Sequence, residues 1–146
     1  MASGWYDTPL VGELLDALER VAAPTDPADF CSRVGEALAR DNVHGVYRAL
    51  FRLIASPTLI EANAQRVWQT YVDEGALTVR LAGQQGFEAR IRGWSRHHPT
   101  VCRTMQPTIE HVLRAVGYKS VAVARTRCVA RGDGVCEFEV RFQGAE

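Results

Sequence analysis

The chain has 146 residues, 47% of them hydrophobic and 23% charged, and its 17 basic and 17 acidic side chains cancel to a formal net charge of zero. At this length about two-thirds of the unfolded surface is buried on folding, so a single core needs neither a disulfide nor a metal to exist. Neutrality excludes the strong uniform field of a protein that coats nucleic acid or an anionic membrane. The zero conceals an asymmetry, however. Residues 1–76 carry 6 basic against 11 acidic groups and residues 77–146 carry 11 against 6, so the halves are −5 and +5 and attract each other. Lys119 is the one lysine, and every other basic residue is arginine.

The N-terminus, Met1-Ala2-Ser3-Gly4-Trp5-Tyr6-Asp7, has no basic stretch followed by an apolar one, and no segment approaches the ~20 apolar residues of a membrane span. The expectation is a cytoplasmic protein with no membrane and no nucleic-acid partner. In a reducing compartment Cys31, Cys102, Cys128 and Cys136 are buried thiols, metal ligands or redox groups rather than structural disulfides.

Upstream of Gly75 the apolar spacing is helical. Thr8-Pro9 is a cap followed by a first-turn proline, with Leu10, Leu14 and Val21, and beside them Val11, Leu15 and Leu18, on one face. Asp26-Pro27 starts a second helix with Phe30, Val34 and Leu38 in register. Tyr47, Leu50, Phe51 and Ile54 form a third stripe, ended by Ser56-Pro57. Ile60, Ala64, Val67, Trp68 and Tyr71 form a fourth, ended at Gly75. Downstream the pattern alternates. Leu77, Val79, Leu81 and Phe87, Ala89, Ile91 flank Gly83-Gln84-Gln85-Gly86 as a hairpin. Helical spacing returns over 100–116, with Gly117 as its stop and Pro107 either kinking it or marking its true start. Residues 120–129 and 135–142 are two strands around the turn Arg131-Gly132-Asp133-Gly134. The order ααααββαββ predicts one α+β domain, helices packed on a four-stranded antiparallel sheet.

A last turn centred on Gly132 sets Cys128 opposite Cys136, Arg127 opposite Glu137 and Arg125 opposite Glu139. One face then carries Arg–Glu pairs, which weakens a nucleic-acid role for those arginines. The other, inward face carries Ala122, Ala124, Thr126 and Cys128 against Cys136, Phe138, Val140 and Phe142. Ala122 and Ala124 are small for a filled core, so either a cavity lies above them or bulky residues such as Met105, Trp68 or Phe51 fill it. Cys102, on the apolar side of the late helix, should point at the same face. Three cysteines can therefore converge, as buried thiols or as ligands of a zinc ion, which takes four N, S or O donors in tetrahedral array.

The segment Pro99-x2-Cys102, the helix end Val116-Gly117, and Val121-x-Val123-x4-Cys128-Val129-Ala130-Arg131-Gly132-Asp133-Gly134-Val135-Cys136-Glu137-Phe138 resembles the 4-vinyl reductase (hydrocarbon-binding) type domain. It is similar also to the sensor domain of bacterial activators of aromatic catabolism. The superfamily shares its fold with haem-nitric-oxide-binding domains and the vesicle-tethering TRAPP subunits. The motif-bearing part is residues 99–142, and the helical first half agrees in order and length only. The resemblance implies that Cys102, Cys128 and Cys136 hold a structural zinc. The fourth, acidic ligand of the aromatic-responsive members falls on Arg125, and a guanidinium cannot ligate zinc. His97, His98, Cys31 or a water would have to substitute, with His97-His98 otherwise an exposed loop. A Cys128–Cys136 disulfide is the alternative use of those thiols. Haem is not expected, because no Tyr-x-Ser-x-Arg segment is present and His44 and His111 are isolated.

No nucleophile elbow, phosphate-cradling loop, dinucleotide fingerprint or His-Glu-x-x-His helix occurs, so no catalytic constellation is assigned. The expected function is a non-catalytic module for a small apolar or aromatic molecule. The expected pocket walls are Phe51, Trp68, Tyr71, Met105, Ala122, Ala124 and Phe138, and the signal passes to another polypeptide or to a second copy in a homodimer. The other reading is a protein–protein scaffold of the same fold without an exchangeable ligand.

Overall fold

The computed structural model describes residues 8–22, 25–42 and 56–144. Its elements are α1 (Thr8–Ala22), α2 (Pro27–Asn42), α3 (Pro57–Gln69), β1 (Ala76–Leu81), β2 (Gly86–Arg92), α4 (Pro99–Ala115), β3 (Lys119–Arg127), a single 3-10 turn (Val129–Arg131) and β4 (Cys136–Gln143). The architecture is α+β with helices against one antiparallel sheet of strand order β1-β2-β4-β3. The stripe formed by Tyr47, Leu50, Phe51 and Ile54 lies outside the described residues.

Three helices begin at a polar residue followed by proline. Asp26 Oδ1 accepts from the Ala28 and Asp29 amides at 2.9 and 3.1 Å, Ser56 Oγ from Leu59 at 3.3 Å, and His98 Nδ1 from Thr100 at 3.3 Å. Each cap satisfies amides with no partner inside the helix, while proline in the first turn gives up a donor that would be unpaired anyway. α3 stops at Gln69, five residues before the expected end, and Gly75 (φ +80°) instead turns the chain into β1. Pro107 sits inside a continuous α4 and packs closely against Gly35 of α2. A Cβ built on Gly35 would lie 2.7 Å from the Pro107 ring.

The β3–β4 register departs from the expected one. Arg127 does face Glu137, but a β-bulge follows, and Arg125 faces Phe138, Ala124 faces Glu139 and Val123 faces Val140. The extra residue reverses which side chains point inward from there on. Val121 and Val123 are buried, whereas Ala122 and Ala124 are exposed on the outer face. The bulge is favoured because it buries two valines in place of two alanines, more apolar area for the same backbone. It also carries Arg125 to the inner face, out of the expected pair with Glu139. On the outer face Arg90 pairs with Glu137 at 2.7 Å and with Glu88 at 3.6 Å, and Arg141 with Glu139 at 3.7 Å.

The core lies between this sheet and α3 and α4, with Phe138, Val140, Ile91, Cys102 and Cys136 almost wholly enclosed. The attraction between the acidic and basic halves takes the form of specific pairs. Glu19 of α1 binds Arg103 of α4, and Asp73 and Glu74 bind Arg96 at 3.1 and 3.3 Å.

Candidate metal centre

β3 and β4 meet around a tightly bonded turn. Cys128 closes β3, its amide donating to Asp133 Oδ2 at 2.8 Å and its carbonyl accepting from Arg131 at 2.9 Å and Asp133 at 3.3 Å. Gly132 (φ +87°) reverses the chain, so the Arg131-Gly132-Asp133 tripeptide is accounted for by the turn. The Val129 amide donates to Cys136 Sγ at 3.5 Å, a contact that favours negative charge on that sulfur. Cys102, in the first turn of α4, comes down between the two. Its Sγ is 3.6 Å from both Cys128 Sγ and Cys136 Sγ.

The fourth donor is His97. Its Nε2 lies 4.0 Å from Cys128 Sγ, and the four donor atoms all fall within 4.8 Å of one another. The ring is half-buried rather than in an exposed loop. It is held edge-on against Trp94, 4.8 Å between centroids, and Trp94 in turn packs edge-on against Trp68 at 5.1 Å. Trp68 Nε1 donates to the Glu74 carbonyl at 2.8 Å, and the Glu74 carboxylate accepts from the Ser95 hydroxyl and the Arg96 amide at 2.8 and 2.6 Å. This chain of contacts fixes the loop that carries His97.

The spacings fit a metal. A tetrahedral ion with bonds of ~2.3 Å to sulfur separates its donors by ~3.8 Å, close to the 3.6–4.0 Å found between the neighbouring donors. Burial pushes the Cys102 and Cys136 thiols up; Cys136 and Cys128 raise Cys102 further, whereas at Cys136 the Val129 amide and Cys102 act downward and Cys128 upward. Thiols held protonated in this way ionise readily only when a cation takes the proton's place. His97 is shifted the other way, chiefly by burial and then by the nearby His98 and Arg125, so its ring is neutral and able to ligate. Arg125 lies close enough to Cys102 for its permanent positive charge to act against the rise of that thiol. The His97/Cys102/Cys128/Cys136 set can therefore hold a metal ion, His97 standing where Arg125 cannot serve. Spacing alone left His97 as one of four candidates, because only tertiary packing brings residue 97 to residue 128.

The described residues among those expected to wall a ligand pocket lie in different settings. Trp68 and Phe138 are sealed in the core, Met105 is half-buried against it, Tyr71 is 60% exposed because α3 has already ended, and Ala122 and Ala124 are on the outer face. Phe51 and His44 lie outside the described residues, and His111 is a half-buried residue of α4. Cys31 is buried in α2, away from the four-donor set. No helix among the described residues is long and apolar enough to cross a membrane.

No family model and no curated protein matches the sequence. Solved structures do match its fold. An H-NOX domain from Shewanella oneidensis, in its Fe(II)CO ligation state, superposes with a TM-score of 0.69 at 13% identity, covering 94% of this chain and 78% of that one. A trafficking protein particle complex subunit 3 from Naegleria fowleri, covalently bound to palmitic acid, gives 0.57 at 16% identity, covering 94% and 90%. A vinyl-4-reductase family protein from Methanocaldococcus jannaschii gives 0.55 at 14% identity, covering 97% and 84%. Helices on a β1-β2-β4-β3 sheet, closed by a Cys–Cys–Cys–His cluster, are thus built on the fold that H-NOX domains, TRAPP subunits and vinyl-4-reductase family proteins share.

Proposed function

We propose that this chain is a non-catalytic small-molecule-binding sensory module that carries a structural zinc on His97, Cys102, Cys128 and Cys136 and passes its signal to a separate polypeptide. The observation that carries the reading is the four-donor cluster, which joins the start of α4 to the β3–β4 turn. Three thiolates and one imidazole form a donor set of the kind zinc takes in closed structural sites. When bound, zinc would supply folding energy and hold the thiolates ionised. His97 and the three cysteines would then fix α4 against the sheet, so that a change at either element reaches the other.

The ligand half of the proposal draws on the fold. Two of the neighbours carry a small molecule by their own description, Fe(II)-bound carbon monoxide in one and palmitic acid in the other. Four free cysteines suit a reducing compartment, and we place the protein in the cytoplasm. Native mass spectrometry of protein purified without added zinc tests both halves. The expected result is one zinc per chain and saturable binding from a panel of phenols and small apolar molecules. Less than a tenth of an equivalent of zinc removes the metal reading, and a panel with no binding and no thermal shift removes the ligand reading.

A second reading, a protein-contact module acting as a homodimer, is favoured by one feature. Leu10, Leu14, Leu18 and Val21 form an exposed apolar stripe along α1. The opposite charges of the two halves of the chain let a second copy pack on it in reversed orientation. Leu14→Glu should then convert dimer to monomer in light scattering, and a monomeric parent protein at micromolar concentration rejects this reading.

A further inference from the structure

We propose that the cleft between α2 and α4 binds a small carboxylic acid as its anion, gripped by Arg125 and Arg103. The inference rests on the small-molecule reading above and names the ligand class and its site. The cleft holds about 310 Å³, enough for a compact molecule of aromatic-acid size. Its α2 side is made by Cys31 and Ser32, its α4 side by Arg103, Gln106 and Pro107, and its far end by Arg125 from β3.

Two observations point to an anion. Arg125 is half-buried on the inner face of the sheet, close to the Cys102 thiol, and has no carboxylate partner among the described residues. An inward guanidinium without a counter-ion is rare, because burial of a charge is costly unless it is paired. Its planar five-donor fork matches both oxygens of a carboxylate. Independently, Arg103 Nε is buried with no hydrogen-bond partner, although the same guanidinium serves Glu19 and Thr100 and lies near the Cys31 thiol. An orphaned donor at the cleft wall is satisfied by an acceptor inside the cleft.

The lining also sets the charge of the ligand. Glu110 borders the cleft, with one oxygen on the Val123 amide at 3.3 Å and the other on Arg114 at 3.3 Å. Its negative charge disfavours a phosphate dianion and leaves room for a single one. Pro107 and Ala28 provide apolar wall for a short hydrocarbon or aromatic body. Because Arg125 also lies close to Cys102, an anion in the cleft would bear directly on the cluster of thiols.

The test is isothermal titration of the full chain with sodium benzoate, benzamide, inorganic phosphate and phenol. Saturable one-site binding of benzoate is expected, with benzamide and phosphate each weaker by about tenfold or more. Arg125→Gln and Arg103→Gln should each lose about tenfold. Because Arg125→Gln can also disturb the cysteines, Ser32→Glu decides. It sets a carboxylate on an exposed position of α2 at the rim, outside the four-donor set, and should abolish benzoate binding with an unchanged melting curve. Benzamide binding as well as benzoate, phosphate binding tighter than benzoate, or Ser32→Glu binding benzoate normally each overturns the proposal. Phenol binding without benzoate binding overturns it while the small-molecule reading stands, and no binding by any of the four overturns both.

Discussion

His97 Nε2 stands 4.0 Å from Cys128 Sγ, although 31 residues of chain separate them. The contact brings the loop before α4 onto the end of β3, and it completes a set of four donors. A metal present at about a thousand times its dissociation constant stabilises a fold by about 4 kcal/mol, roughly 8–16 °C in melting temperature at this chain length. His97→Ala should lower the melting temperature of zinc-loaded protein by a large part of that amount and cut the bound zinc. A strong chelator should bring the parent protein down to the variant's value. His98→Ala, which removes a helix cap and the contact of His98 Nε2 with Asp16 at 3.3 Å, should cost about 1 kcal/mol and leave the zinc content unchanged. Equal zinc content in both variants would show that His97 is not a ligand.

The β-bulge predicts which strand residues matter. Val123 is 6% exposed and its neighbour Ala124 points outward. Val123→Ala should destabilise by about 1–3 kcal/mol in urea unfolding, whereas Ala124→Ser should change stability by less than about 0.5 kcal/mol. The regular register would require the reverse order of effects.

Gly35 is a helix residue for which alanine would ordinarily be the better helix former. Its position against Pro107 reverses that preference, since the added methyl would come within 2.8 Å of the Thr108 amide as well as meeting the proline ring. Gly35→Ala should therefore destabilise by about 1–3 kcal/mol through separation of α2 from α4. A melting temperature at or above the parent's would refute that close approach.

Glu74 predicts an acid-sensitive loop. The Arg96 amide, then the Ser95 hydroxyl and the Arg96 guanidinium, hold its carboxyl below the ordinary value of 4.5. A carboxyl with a depressed folded-state pKa stabilises the fold above its ordinary value and loses that contribution as the pH falls through the folded-state pKa. Tryptophan fluorescence, reporting on Trp68 and Trp94 beside this loop, should therefore change as the pH is lowered below about 4.5. Glu74→Gln should show the changed signal already at neutral pH and a flatter acid titration. An identical titration in both proteins would show that the carboxylate does not hold the loop.

The helices and the hairpin were legible because their signals are local. Asp26-Pro27, Ser56-Pro57 and Gly83-Gln84-Gln85-Gly86 act within a few residues of themselves, through caps, proline and turn geometry. α3 ended early because apolar spacing continued through Tyr71 after the backbone had left the helix, and spacing does not record where hydrogen bonding stops. The strand faces of β3 were misread for a related reason. Alternation assigns one side of a strand only while the register is regular, and a single bulged residue exchanges the two sides.

The sequence by itself determined the α+β order, the position of the last turn and the inward setting of Cys102, Cys128 and Cys136, since each follows from periodicity over short stretches of chain. It also determined the charge asymmetry, whose pairs Glu19–Arg103 and Glu74–Arg96 bind the two halves together. Only the tertiary structure decided that His97 joins the cysteines, that Ala122 and Ala124 face outward, and that Arg125 turns inward without an acid partner among the described residues. These are long-range outcomes, set by the packing of α4 and the tryptophan-held loop against the sheet and by the larger apolar area that the bulge buries.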